Sequence, residues 1–93
     1  MTPAGRLQDH LKHVVQKSGG QYRKVRWGGR SGCPDCFVWW TWPQAAFIEI
    51  KADGDRLSKL QTREIERMDA ASVPVFIARS VEDIDEIVRK IRK

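Results

Sequence analysis

From Cys36 to Lys51 the chain reads CFVWWTWPQAAFIEIK, an apolar and aromatic run interrupted at Thr41-Trp42-Pro43-Gln44. Proline fixes its own φ and removes a backbone donor, so the interruption is a turn and its flanks are two antiparallel strands, expected at 36–41 and 46–51. Side chains alternate across a strand, which sends Ile48 and Ile50 to one face and Glu49 and Lys51 to the other. Pairing symmetric about Trp42 then sets Asp35 opposite Glu49, where Cβ atoms lie about 4.5 to 5.5 Å apart. A slip of a residue or two would loosen that pair but leave Glu49 and Lys51 together. Two carboxylates so close repel unless a cation lies between them, and hard oxygen donors suit Mg²⁺ or Mn²⁺, which keep waters for a substrate phosphate. With a lysine beside them this is a layout for metal-assisted phosphodiester hydrolysis. A surface salt bridge between Glu49 and Lys51 is the plainer account, and it leaves Asp35 unexplained.

The remaining elements frame that hairpin. Thr2-Pro3 opens a helix over about 3–18, lined by Leu7, Leu11, Val14 and Val15 and stopped by Gly19-Gly20. QYRKVRW, 21–27, alternates as a half-exposed strand, and the glycine-rich residues 28–32 follow as a loop. Ser58 with Gln61 is a capping box for a helix running to about Ala71, with Leu60, Ile65 and Met68 expected inward. PVFIAR, 74–79, reads as a buried fourth strand. Ser80 with Asp83 caps a last helix whose stripe is Val81, Ile84, Ile87, Val88 and Ile91. The expected order is αβββαβα, an α/β fold in a single domain over 1–93.

Charge is unevenly placed. Residues 1–46 carry seven Lys/Arg against two Asp, so the whole net charge of +5 sits there, while 47–93 balance. Arg23, Lys24, Arg26 and Arg30 cluster without an acid among them, as a segment facing a polyanion would. A solvated basic loop is the alternative. No apolar run approaches the roughly 18 residues of a membrane span and no signal-peptide core is visible, so a cytosolic location is expected, the host cytoplasm if the chain is phage-encoded.

Two further groups carry alternatives. His10-x-x-His13 with Cys33-x-x-Cys36 could form a Cys2His2 zinc site, and the cysteines alone a redox pair. The histidines flank an apolar helix stripe and a strand, not a helix, follows Cys33, which weighs against both. Trp39-Trp40-Thr41-Trp42 puts one of the first two tryptophans in the core, the other outside, and Trp42 at the hairpin tip. A 93-residue chain exposing such rings hides them in a dimer or stacks them on nucleic acid; the dimer is the expectation.

GCPD (32–35), FIEIK (47–51), LSKLQ (57–61) and VPVFIARS (73–80), with SGGQYRK before them, resemble the virus-type replication-repair nuclease domain, VRR-NUC, of the PD-(D/E)XK superfamily. The resemblance covers nearly the whole chain. It implies a restriction-endonuclease-like core with a mixed four-stranded sheet flanked by helices. It also implies Asp35, Glu49 and the Ile50 carbonyl as ligands of Mg²⁺ or Mn²⁺, Lys51 as catalytic lysine, and Gln61 beside them. Stand-alone members resemble Holliday-junction resolvases, so the implied protein is a homodimeric endonuclease of branched DNA acting in DNA repair. One position departs. Ala4 stands where the family usually has a glutamate early in helix one, with Gln8 and Asp9 one turn on; this sets a one-metal against a two-metal arrangement. The alternative it raises is a non-catalytic or weakly active DNA-binding module.

Overall fold

The computed structural model describes residues 2–93. The order is α1 (Pro3–Lys17), β1 (Gln21–Lys24), β2 (Cys36–Trp39), β3 (Ala45–Ile50), α2 (Lys59–Ala70), β4 (Val75–Ala78) and α3 (Val81–Arg92). The αβββαβα expectation holds. The strands form one mixed sheet in the order β1-β2-β3-β4, antiparallel except for the parallel β3–β4 pair that α2 connects.

The hairpin pairs Cys36 with Ile48 and Trp39 with Ala45, the register symmetric about Trp42. Trp40 N–H donates to the Gln44 carbonyl at 2.8 Å, closing a turn that contains a cis Trp42-Pro43 bond, so β2 ends at Trp39 and not at residue 41. β1 is also shorter than 21–27. Val25 N–H still reaches the Asp35 carbonyl at 2.8 Å, after which the chain turns away and the Trp27 indole donates to the Pro34 carbonyl at 2.6 Å.

One face of the sheet is dry. Leu7, Leu11 and Val15 of α1 and Ile84, Ile87 and Val88 of α3 close over Cys36, Val38, Ile48, Ile50 and Ala78. Burying aliphatic side chains stabilises by about 1.5 to 3 kcal/mol each, so these two helices supply most of the cohesion. Their caps agree with the sequence: the Thr2 and Ser80 side chains accept the Gly5 and Asp83 backbone N–H groups.

The other face is only partly covered. α2 has no fully buried residue, Leu60 is 53% exposed instead of inward, and Val81 in the first turn of α3 is 41% exposed. Leu60 turns out because the start of α2 is seated on the glycine loop: a Cβ on Gly32 would lie 2.7 Å from the Leu60 carbonyl carbon. β4, expected to be buried, is half-buried along most of its length, since it is an edge strand with light cover. No helix among the described residues is long and apolar enough to cross a membrane.

Candidate active site

Glu49 is the buried charge among the described residues, 6% exposed on β3. It belongs to the sheet face opposite Ile48 and Ile50 because strand side chains alternate, and the pairing of Cys36 with Ile48 carries Asp35 to its side. Burial, and then the charge of Asp35, push the Glu49 carboxyl from its ordinary 4.5 up to about 7, against the pull of Lys51, Lys24 and a hydrogen bond to the Asp35 backbone. Gln61 Nε2 donates to Glu49 Oε2 at 3.2 Å. The other end of that amide, Oε1, accepts the Ser58 N–H at 2.9 Å and completes the capping box. The cap therefore aims the amide, and both roles expected of Gln61 coexist.

Lys51 follows Ile50 at the end of β3, its backbone N–H on the Ala78 carbonyl at 3.0 Å. Its ammonium enters no ion pair among the described residues and acts on Glu49 through space. The Ile50 side chain is buried on the dry face, leaving its peptide between Glu49 and Lys51.

Lys24 is the site residue that sequence reasoning placed elsewhere. Its Nζ donates to Asp35 Oδ2 at 2.6 Å. The β1–β2 register causes this, since Lys24 faces Cys36, the neighbour of Asp35. The signal was the QYRK alternation, which could not be aligned to β2 before the partner strand was known.

The basic segment does not present four free cations. Arg23 lies 4.9 Å over the Trp39 ring, Lys24 holds Asp35, and Arg30 Nε donates to Glu64 at 2.8 Å. Arg26 is exposed. The tryptophans divide as expected: Trp40 packs against the core with its indole N–H on Ser18 Oγ at 3.2 Å, Trp39 lies on the outer face, and Trp42 is 81% exposed. Phe37, Trp39, Trp40, Trp42 and Ala45 line an apolar cleft of ≈ 370 Å³ there.

The Cys2His2 reading is overturned. His10 pairs with Asp85 of α3 at 2.9 Å, and among the described residues no three of His, Cys, Asp or Glu gather around a possible metal position. The redox reading fares no better: burial first of all pushes the Cys36 thiol up to about 11, and burial with the hydrogen bond to Glu64 raises Cys33. Ala4 packs on the core, and among the described residues no third carboxylate joins Asp35 and Glu49. Asp35 and Glu49 nonetheless fit a hard divalent cation. One or two carboxylates, with water and substrate phosphate, are what Mg²⁺ takes, and a Glu49 carboxyl raised by burial and by the charge of Asp35 gains from a cation placed beside it.

Comparison with known proteins converges on one family. The family profile described as "VRR-NUC domain" matches residues 3–82. A protein of Acyrthosiphon pisum secondary endosymbiont phage 1 named "Putative nuclease p44" is 33% identical over 82 residues, covering 88% of this chain and 87% of its own. A solved structure titled "VRR_NUC domain" superposes with a TM-score of 0.88 at 31% identity, over 96% of this chain and 97% of that one.

Proposed function

Because this chain belongs to the VRR-NUC family, we propose that it is an endonuclease that hydrolyses DNA phosphodiester bonds with Mg²⁺ or Mn²⁺. The observation that carries this reading is the buried Glu49 carboxylate, raised toward 7, beside Asp35 and on the same strand face as Lys51. Asp35, Glu49 and the Ile50 carbonyl would hold the cation. When bound, it supplies charge that offsets the build-up on the scissile phosphate and acidifies the attacking water. The chain's own groups do the rest. Lys51 orients the water by hydrogen bonding and stabilises developing negative charge, which a fixed cation in a water-poor site does far better than solvent. Gln61 holds Glu49 in one rotamer, and Lys24 offsets the charge of Asp35.

Labelled linear, flapped and four-way DNAs, incubated with and without Mg²⁺ or Mn²⁺, test this. Metal-dependent cutting strongest on the four-way junction is expected. DNA binding with no cutting of any substrate would replace the reading with the DNA-binding module that Ala4 suggests.

Branched DNA and a homodimer go together in this reading. One site cuts one strand per encounter, whereas a junction is resolved by two symmetric cuts that a two-fold pair of sites supplies. The outer aromatic surface supports the pairing: Phe37 packs against Phe47, tilted by 42° at 4.6 Å between ring centroids, Trp39 adjoins Phe37, and Trp42 projects beyond. Exposed apolar surface of this kind is a recurrent interaction site. Sedimentation should show a dimer at micromolar concentration, and Trp42→Ala should weaken it together with paired junction cutting, more than single-strand nicking. A monomer making paired, concentration-independent cuts would end the dimer proposal.

A further inference from the structure

Beside the carboxylate site, the glycine loop and the outer face of α2 enclose a cleft of ≈ 420 Å³ lined by Arg30, Ser31, Leu60, Arg63, Glu64 and Arg67. We propose that this cleft is a preformed pocket for one backbone phosphate of the DNA, other than the scissile one, gripped by Arg30, Arg63 and Arg67. The inference rests on the reading that DNA is the substrate.

Glu64 builds the pocket without filling it. Its side chain is only 13% exposed, and its Oε1 accepts both Arg30 Nε at 2.8 Å and Arg67 Nη1 at 2.6 Å. Each guanidinium carries five N–H donors, so one given to Glu64 fixes the group and leaves a fork for an oxyanion. Arg63 lies on the same helix face, three or four residues from Leu60 and Arg67, and enters no ion pair among the described residues. Three cations against one carboxylate leave the cleft electropositive.

The loop side is equally set. Gly32, at φ 89°, lies so close to the Leu60 backbone that no side chain fits, and the Trp27 indole anchors the loop to the Pro34 carbonyl. Arg30 therefore reaches Glu64 from a seated loop. Leu60, exposed beside the arginines, offers apolar contact to a deoxyribose, which favours a nucleotide over a free anion. Gln61, the next residue, reaches Glu49. A strand crossing the carboxylates thus continues over the adjacent face of the same helical turn.

A binding titration in EDTA, with a single neutral methylphosphonate moved along the DNA, tests the pocket. For the wild-type protein, neutralising one particular phosphate away from the cut should weaken binding on the order of tenfold. Arg63→Gln and Arg67→Gln should each weaken binding of unmodified DNA similarly and lower the log-log salt slope by about 0.9. In these variants the methylphosphonate effect at that position should shrink markedly, while Lys12→Gln, an equal charge loss on α1, keeps it in full. Arg63 is exposed and Glu64 keeps both partners in that variant, so its fold is preserved. Variants indistinguishable from Lys12→Gln, or no position that couples, would overturn the pocket. Failure of the nuclease reading shows separately, as a wild-type protein that cuts no DNA with either metal.

Discussion

Asp35→Asn, Glu49→Gln and Lys51→Ala should each lower DNA cleavage by roughly 10²- to 10⁴-fold, the range of a lost general acid–base or charge-stabilising group. At the end of β3 the charges of Asp35 and Lys51 both act on the Glu49 carboxyl through space, the first raising and the second lowering its pKa, and the Asp35 backbone hydrogen-bonds it. The carboxylate variants should also bind Mn²⁺ more weakly, whereas Lys51→Ala should bind it as well as the wild type or better, having lost a competing cation. DNA binding and folding should persist in all three, because neither amide change alters side-chain shape and Lys51 is partly exposed in no ion pair. Single-turnover cleavage with a parallel binding titration reads both quantities. Wild-type cleavage by any one variant removes that residue from the mechanism.

In metal-free buffer the Glu49→Gln protein should melt at the same temperature as the wild type near pH 4.5 and about 10 °C higher at pH 8. The sign follows from the raised carboxyl. With a folded value of about 7 against an ordinary 4.5, the native state binds more protons across that window, so stability is full below 4.5 and falls as pH rises through 7. The gap between 4.5 and about 7, at about 1.4 kcal/mol per pH unit, amounts to about 3.5 kcal/mol before solvent screening, which brings it to on the order of 2 kcal/mol and so to that shift in a chain of this size. Glutamine has no charge to bury and can still accept from Gln61 Nε2. Melting curves in EDTA at the two pH values measure the difference. A wild type as stable at pH 8 as at pH 4.5 would mean Glu49 ionises without cost. Added Mn²⁺ should stabilise the wild type alone at pH 8.

The hairpin was legible because its information is local. An X-Pro turn flanked by period-two alternation leaves one register that buries Ile48 and Val38 together, and that register brings Asp35 to Glu49 without reference to the rest of the chain. The helix starts were legible for the same reason: Ser58 with Gln61, and Ser80 with Asp83, satisfy backbone donors three residues away. Leu60 and Val81 were misplaced because helical spacing states which residues share a face, not how far along the helix that face stays covered. Both lie in first turns, on the side that no other element covers.

Charge pairing was the least legible. Arg23 to Arg30 read as one basic segment, yet Lys24 joins Asp35, Arg30 joins Glu64 and Arg23 stacks on Trp39. These contacts span 11, 34 and 16 residues of sequence, and no periodicity encodes them. The sequence by itself determined the element order, the hairpin register, the helix caps and the Asp35–Glu49–Lys51 constellation, since each depends on backbone geometry within a few residues or across one tight turn. Only the tertiary structure decided that α2 lies lightly over the outer face, that Glu49 is desolvated enough to hold its proton to about 7, and which cations stay free for a ligand. Those depend on burial and on side chains brought together from distant segments, and both exist only once the sheet has been covered.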